Sequence, residues 1–182
     1  MQFKSSKGNH QAGVQRGFSM IELLVAVLIM GIGVLGVTGL QVVSLQNNRD
    51  ALMRTEALQM AYNILDRVRV NPGTGVPGAN YDGVAFDDNP AAPADCVANN
   101  CSAAQMTTFD LSLWKCALGG HSTETVCTDI RNNNLLPPLT DQPGLPDGNG
   151  QIVVDGAGVI SVTVRWSGFG DAEQTITIES QA

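Results

Sequence analysis

A single carboxylate, that of Glu22, stands at the start of a long apolar stretch. Residues 23–40 carry one polar side chain, Thr38, and the next charged residue is Arg49. A carboxylate at depth in a membrane costs roughly 2.5–3.5 kcal/mol on insertion scales. Two interpretations are open. Glu22 marks a helix start, where the helix dipole favours an acid, or it requires a cationic partner within the membrane or an assembly.

Other residues suited to catalysis or metal binding are sparse. The only histidines are His10 and His121, and the neighbours of His121, Ser122 and Glu124, form no known catalytic motif. We expect His121 to lie in a surface loop. The acidic, glycine-rich segment 141–150 lacks the closing Glu of an EF-hand, so turn formation explains it better than calcium binding. The sequence thus predicts no enzymatic activity, no metal site and no cofactor.

Charge divides the chain into unlike pieces. Residues 1–17 contain Lys4, Lys7 and Arg16 and no acid, whereas residues 71–182 contain thirteen acidic and three basic residues. The net charge of -7 repels phosphate backbones, so nucleic acid is not an expected partner. A hydrophobic content of 43% argues against a disordered chain.

The apolar stretch has the length of a membrane-spanning helix, which needs about 20 apolar residues. Its preceding positive charges predict a cytoplasmic N-terminus and an exported C-terminal part. A cleavable secretory signal is the alternative, with a weak small-residue site at Gly36-Val37-Thr38-Gly39. The apolar run is longer than the core of such a signal. We therefore favour a membrane anchor.

The helix is expected to continue beyond the membrane. Residues 46–70 are amphipathic, with Leu58, Ala61, Leu65 and Val68 at helical spacing, and Asn71-Pro72-Gly73 ends the pattern. We predict one helix from residue 18 to residue 70. Its first half, 18–45, would contact lipid or other subunits, and its second half, 46–70, would pack on a head formed by residues 71–182.

The head is predicted to be α+β. Residues 71–101 are rich in Gly, Pro and Asp and indicate an irregular loop. Ser102 and Gln105 fit a capping box that starts a short helix over 102–118, and Gly119-Gly120 ends it. Alternating residues predict an antiparallel sheet within 150–179, with strands at 151–155, 159–166 and 174–179. The expected fold is a long N-terminal helix packed on this small antiparallel sheet.

The head also contains all four cysteines, which include no C-x-x-C pair of a zinc ribbon. In an exported head, oxidation is the default. Three pairings are open. The sequential one, Cys96 with Cys101 and Cys116 with Cys127, closes the shortest loops, but the sequence alone does not prove it.

The N-terminal pattern is similar to a known processing signal. Arg16-Gly17-Phe18-Ser19-Met20-Ile21-Glu22, followed by the apolar run, resembles the class III signal of type IV pilins and type II secretion pseudopilins. The resemblance implies that a prepilin peptidase cuts after Gly17 and removes the basic leader 1–17. It further implies N-methylation of Phe18, and an ion pair between Glu22 and the Phe18 amine of a neighbouring subunit.

Three features of residues 96–182 carry a second resemblance, namely Cys96…Cys101-Ser102, Phe109-Asp110-Leu111…Trp114 and the strand Val162-Thr163-Val164-Arg165-Trp166. Together with the N-terminal pattern they resemble the PilV family of minor pilins, and residues 71–95 add nothing to this resemblance. It implies a subunit that helps to prime pilus assembly and supports pilus-dependent adhesion or motility. A type II secretion minor pseudopilin and a pilus-tip adhesin are the alternatives.

The same resemblance implies partners and a location. The partners would be other minor pilins, the major pilin, the inner-membrane assembly platform, the prepilin peptidase and, before assembly, membrane lipid. The chain would first cross the inner membrane once with its head in the periplasm. It would then join the pilus at the cell surface.

Overall fold

A computed structural model describes residues 17–181, so residues 1–16 of the predicted leader lie outside the described residues. The chain forms two units that divide between Ser44 and Leu45. The architecture is α+β, with a long N-terminal helix and a three-stranded antiparallel sheet. This confirms the predicted fold class.

Helix α1, Met20–Val70, begins two residues later than predicted and ends where Asn71-Pro72-Gly73 indicated. The start is set by Ser19, whose carbonyl accepts hydrogen bonds from the backbone N–H groups of Glu22 at 3.0 Å and Leu23 at 3.3 Å. In the first unit every residue of α1, 20–44, is exposed. The helix is long and apolar enough to cross a membrane, by its length and composition.

In the second unit, one face of α1 is buried against the head. The predicted stripe is confirmed for Ala61, Leu65 and Val68, and Leu58 is half-buried. The apolar spacing is thus explained by contact with the inner face of the sheet. The buried residues of this face are Met53, Ala57, Met60, Ala61, Ile64, Leu65 and Val68.

Two further helices lie in the head. Helix α2, Ala103–Leu118, has the predicted capping box between Ser102 and Gln105 and ends at Gly119, whose φ is 111°. Helix α3, Thr125–Asn132, is not predicted by the sequence pattern. Its apolar residues Val126, Cys127 and Ile130 do lie on one face, but its eight residues are shorter than the window of about 11–18 residues in which a helical period is recognised.

The sheet has the order β1-β2-β3, with β1 at Asn149–Val154, β2 at Val159–Ser167 and β3 at Glu173–Gln181. The three predicted strands are confirmed, although β1 begins two residues earlier and β3 extends further at both ends. Both pairings are antiparallel, and Thr163 lies opposite Thr177. The inner face of β2 is fully buried, at Ile160, Val162, Val164 and Trp166.

The segment 71–101 is mostly irregular, as predicted, but it includes a short 3-10 helix, Ala79–Tyr81. Tyr81 is fully buried in the main core. Val84 forms a bridge to Ile152, whose N–H donates to the Val84 carbonyl at 3.0 Å. This long loop is therefore held in place and covers the outer edge of β1.

Candidate functional site

The residues of the predicted processing signal lie at the start of α1. Gly17, Phe18 and Ser19 precede the helix, and the Phe18 side chain is 78% exposed. Their non-helical backbone leaves the Gly17–Phe18 peptide bond outside the helical hydrogen-bond ladder. A peptide bond in this setting can be approached by a peptidase without unwinding the helix.

Glu22 occupies the first turn of α1 and is exposed. Within residues 17–181, no cation lies within ion-pair distance of its carboxylate. The position suits an acid because the helix N-terminus carries a partial positive charge. Glu22 is nevertheless surrounded along α1 by exposed apolar side chains, so a charged partner from elsewhere would be needed in an apolar environment.

The structure pairs the four cysteines sequentially. Cys96 is bonded to Cys101 with a Cα–Cα distance of 5.5 Å, and Cys116 is bonded to Cys127 with a Cα–Cα distance of 5.2 Å. The second bond joins α2 to α3, and both of its cysteines are fully buried. The first bond is half-buried and closes a small loop immediately before α2.

A polar network connects α1, the 71–101 loop and α2 through Asp110. Its Oδ1 accepts a hydrogen bond from the Arg67 guanidinium at 2.7 Å, and its Oδ2 accepts one from the Tyr81 hydroxyl at 2.7 Å. Burial, together with the hydrogen bond to Asp110, raises the pKa of Tyr81 to about 12. Asn71 donates to the Tyr81 oxygen at 3.1 Å. These contacts satisfy a buried carboxylate and make the network structural.

A second polar cluster surrounds Lys115, which is 2% exposed. Its Nζ donates to the carbonyl oxygens of Ala85 at 2.6 Å and Phe86 at 2.9 Å and to Oδ1 of Asn149 at 2.9 Å. Burial lowers the pKa of Lys115 to about 8. The ammonium group therefore holds the loop and β1 against α2.

The predicted surface position of His121 is wrong. His121 is buried, and its Nε2 lies 3.1 Å from Nδ2 of Asn149. Because Lys115 fixes the Asn149 oxygen, the Asn149 amide group faces the imidazole and donates to it. His121 therefore closes a buried hydrogen-bond chain and lies outside any reactive arrangement in the described residues.

The glycine-rich segment before β1 forms turns. The N–H of Gly148 donates to the Leu145 carbonyl at 2.9 Å, and the Asp147 carboxylate accepts from the Ser167 hydroxyl at 2.8 Å. Across residues 17–181, no group of three or more His, Cys, Asp or Glu side chains is arranged to hold a metal ion. Turn formation accounts for this segment.

Sequence reasoning missed the buried roles of Lys115, Asp110 and Asn149. Lys115 did carry a signal, because it is the only charged residue between Leu111 and Leu118. Asp110 and Asn149 carried no sequence signal of burial, since their hydrogen-bond partners lie far away along the chain. Their partnerships depend on the tertiary fold.

Comparisons with known proteins match the chain in two places. A family model described as Type IV pilin Tt1218 matches residues 39–112, and a model of the prokaryotic N-terminal methylation motif matches residues 13–38. No curated protein and no solved structure matches the chain. The methylation-motif match contains Gly17, Phe18 and Glu22, and the other match contains the second half of α1 and most of α2.

Proposed function

We propose that this chain, whose two family matches support a type IV pilin, is a minor pilin of the PilV kind that helps to prime pilus assembly. The observation that carries the proposal is the combination of an exposed Phe18, a Glu22 without an ion-pair partner among residues 17–181, and an apolar helix whose residues 20–44 are all exposed. A subunit with these features requires lipid first and other subunits afterwards.

Processing would supply a positively charged group that can pair with the Glu22 carboxylate. Hydrolysis of the Gly17–Phe18 bond by the prepilin peptidase releases the leader 1–17 and leaves an amine on Phe18. N-methylation of that amine keeps its positive charge, whereas acetylation would remove it. The amine of one subunit can then pair with Glu22 of its neighbour and offset the cost of burying the carboxylate.

The pair would also set the axial position of one subunit against the next, because an apolar helix surface alone has little preference among sliding positions. One offset brings the Phe18 amine to Glu22, and other offsets leave both charges buried and unpaired. A buried ionic group that fixes register is a known use of such pairs.

The proposed course starts in the inner membrane. Residues 18–45 cross the lipid, and the 46–70 half of α1 and the head, 71–182, lie in the periplasm. The inner-membrane assembly platform then transfers the subunit, together with other minor pilins and the major pilin, into the pilus. Adhesion or motility that depends on the pilus would follow from that assembly.

Mass spectrometry of sheared surface filaments tests the proposal. We expect a peptide that begins at methylated Phe18, at an amount well below that of the major pilin. A chain that retains residues 1–17 in living cells would contradict the proposal. A processed chain that stays in the inner membrane of secretion-deficient cells would favour the type II secretion pseudopilin instead.

The ion pair has its own test, with a matched control on the same helix. Glu22→Gln keeps the size and polarity of the side chain but removes its charge, so we expect processing to continue and incorporation into filaments to fall about tenfold or more. Glu56→Gln removes a charge from the half of α1 that carries other charged residues and should leave incorporation unchanged. Equal incorporation of the Glu22→Gln and wild-type subunits would contradict the pairing.

A further inference from the structure

The two edge strands of the sheet, β1 and β3, differ in the hydrogen bonding of their outward backbone groups. On β1, the N–H of Ile152 donates to the Val84 carbonyl at 3.0 Å and the N–H of Val154 donates to the Asp82 carboxylate at 2.8 Å. The 71–101 loop therefore satisfies that edge. On the far side of β3, no strand follows in the sheet formed by the described residues.

The ladder identifies which backbone groups of β3 face outward. The N–H of Gly168 donates to the Ala172 carbonyl at 2.8 Å, and antiparallel ladders alternate between pairs that exchange such bonds and pairs that do not. Counting from this bond, the residues that direct N–H and C=O away from β2 are Glu173, Thr175, Thr177 and Glu179.

The same alternation can be checked on β1. The N–H of Asp155 donates to the Val159 carbonyl at 3.0 Å, so Val154 and Ile152 should direct their backbone groups outward. Those are the two residues that bond to the 71–101 loop. The outward groups of β3 correspond to them and form no such bonds within residues 17–181.

The apolar inner face of the sheet also extends from β2, where it is buried, onto β3, where it is only partly covered. Val162 and Val164 on β2 are fully buried, whereas Ile178 and Ile176, which lie opposite them on β3, are only half-buried. One more strand beside β3 would bury the remaining exposed surface of Ile176 and Ile178. Strand β3 contains neither Pro nor Lys, which commonly protect an exposed edge, and its only charges are Glu173 and Glu179.

We propose that the free edge of β3 pairs with an extended strand of a different pilin subunit, an inference that rests on the proposed function. The partner strand would supply backbone groups to Thr175 and Thr177. It would place apolar β-branched side chains beside Ile176 and Ile178 and a basic side chain near Glu179, whereas Glu173 already pairs with Arg165 at 3.7 Å. Strand addition of this type takes its affinity from main-chain hydrogen bonds and its specificity from alternate side chains.

A second copy of the chain is a poor occupant of this edge. Antiparallel pairing of two β3 strands in one continuous sheet places the two-fold axis normal to the sheet. That operation reverses the direction of the α1 face, residues 53–68, which packs on the sheet. Subunits anchored in one membrane from the same side must run in the same direction. Two acidic heads also repel each other.

Photo-cross-linking in cells that assemble pili tests the edge with a matched control. A benzophenone amino acid replaces Thr177 in the full chain, and in a second strain it replaces Thr163. Both hydroxyls lie on the exposed face, 2.9 Å apart, but only Thr177 is on the edge strand. We expect an adduct from position 177 with a different protein that carries a prepilin-type N-terminus, at least about tenfold above that from position 163.

An edge-blocking variant provides the second measurement, with the benzophenone at position 175. Thr177→Pro removes an outward N–H and leaves the hydrogen bonds between β2 and β3 in place. Thr177→Ala removes the hydroxyl contact with Thr163 but keeps the N–H. We expect Thr177→Pro to reduce the adduct about tenfold and Thr177→Ala to preserve it. Glu179→Lys, a surface change that keeps the backbone intact, should also reduce it.

Three outcomes would overturn the inference. These are no adduct above the Thr163 control, an adduct only with a second copy, and adducts unaffected by both Thr177→Pro and Glu179→Lys. The methylated Phe18 peptide is followed in every strain. If it is present while the adduct fails, the edge inference is wrong and the pilin proposal stands. If it is absent, the pilin proposal itself fails.

Discussion

The ammonium of Lys115 donates to the side-chain oxygen of Asn149 at 2.9 Å, and both residues are buried. Its two other acceptors are backbone carbonyls, so none of the groups bonded to this cation is a carboxylate. Water is replaced by three neutral oxygens, which support a positive charge less well than bulk solvent does. This arrangement makes the stability of the head sensitive to alkaline pH.

Stability should rise with pH between about 8 and 10. The pKa of Lys115 is about 8 in the folded chain and 10.5 in its ordinary setting. In this window the unfolded chain binds more protons, so the free energy of unfolding increases, by roughly 1–3 kcal/mol. Urea unfolding at pH 7, 8, 9 and 10 measures the trend, and Lys115→Met should flatten it. A wild-type profile that falls from pH 8 to 10, or a slope unchanged in Lys115→Met, would contradict this account.

The trend should reverse above about pH 10. Tyr81 has a pKa of about 12 in the folded chain against an ordinary 10.0, so the folded chain keeps the phenolic proton that the unfolded chain releases. Folded stability therefore decreases across that window. Tyr81→Phe should remove the decrease, as seen in the same unfolding series. An equal decrease in both proteins would rule out Tyr81 as its cause.

Asp110→Ala should destabilise the head by about 3 kcal/mol, because it leaves the Tyr81 hydroxyl and the Arg67 guanidinium without their acceptor. Asp66→Ala is the control. Asp66 pairs with Arg69 at 3.1 Å on the exposed side of α1, and such pairs contribute about 0–1 kcal/mol. Denaturant midpoints of the two variants compare them directly, and similar midpoints would show that the Asp110 network adds little.

Gly148→Ala should cost about 1–3 kcal/mol or more, since an added Cβ would lie 2.1 Å from the backbone oxygen of Leu118. Gly156→Ala is the control, because nothing lies within 4 Å of its added Cβ. We expect the control to change the melting temperature little. If the two variants have the same melting temperature, the close approach of the Gly148 turn to the end of α2 does not constrain the fold.

The two disulfides should differ in accessibility and in effect. A mild reductant should open Cys96–Cys101 before Cys116–Cys127, because only the second bond is fully buried. Replacing the cysteines of a pair by serine should cost about 2 kcal/mol for the first bond and about 3 kcal/mol for the second, whose loop is longer. Mass-resolved alkylation and denaturant unfolding measure both effects, and simultaneous reduction would contradict the order.

Local patterns made much of the fold predictable. The α1 stripe at Ala61, Leu65 and Val68, the Ser102 capping box and the alternation along β2 each depend on neighbours within a few residues. Helix α3 was missed because its eight residues are shorter than the window in which a helical period is recognised.

The buried polar contacts could not be predicted, because they connect distant parts of the chain. Lys115 bonds to Asn149, 34 residues away, and Arg67 bonds to Asp110, 43 residues away. His121 was expected in a surface loop, but the structure buries it, with its Nε2 3.1 Å from Nδ2 of Asn149 at the start of β1. The predicted processing residues Gly17, Phe18 and Glu22 form a pattern in the order of the chain itself, so their resemblance to a processing signal depends on no tertiary contact.

The indole of Trp114 donates from Nε1 to the Met60 carbonyl of α1 at 3.0 Å, and both tryptophans of the chain, Trp114 and Trp166, are 4% exposed in the core that contains this face. The tryptophan fluorescence of the protein consequently originates from the interface between the buried face of α1 and the head. Separation of α1 from the head would expose both indoles to water and shift the emission to longer wavelength. The intrinsic fluorescence of an unlabelled subunit therefore reports whether this interface is intact.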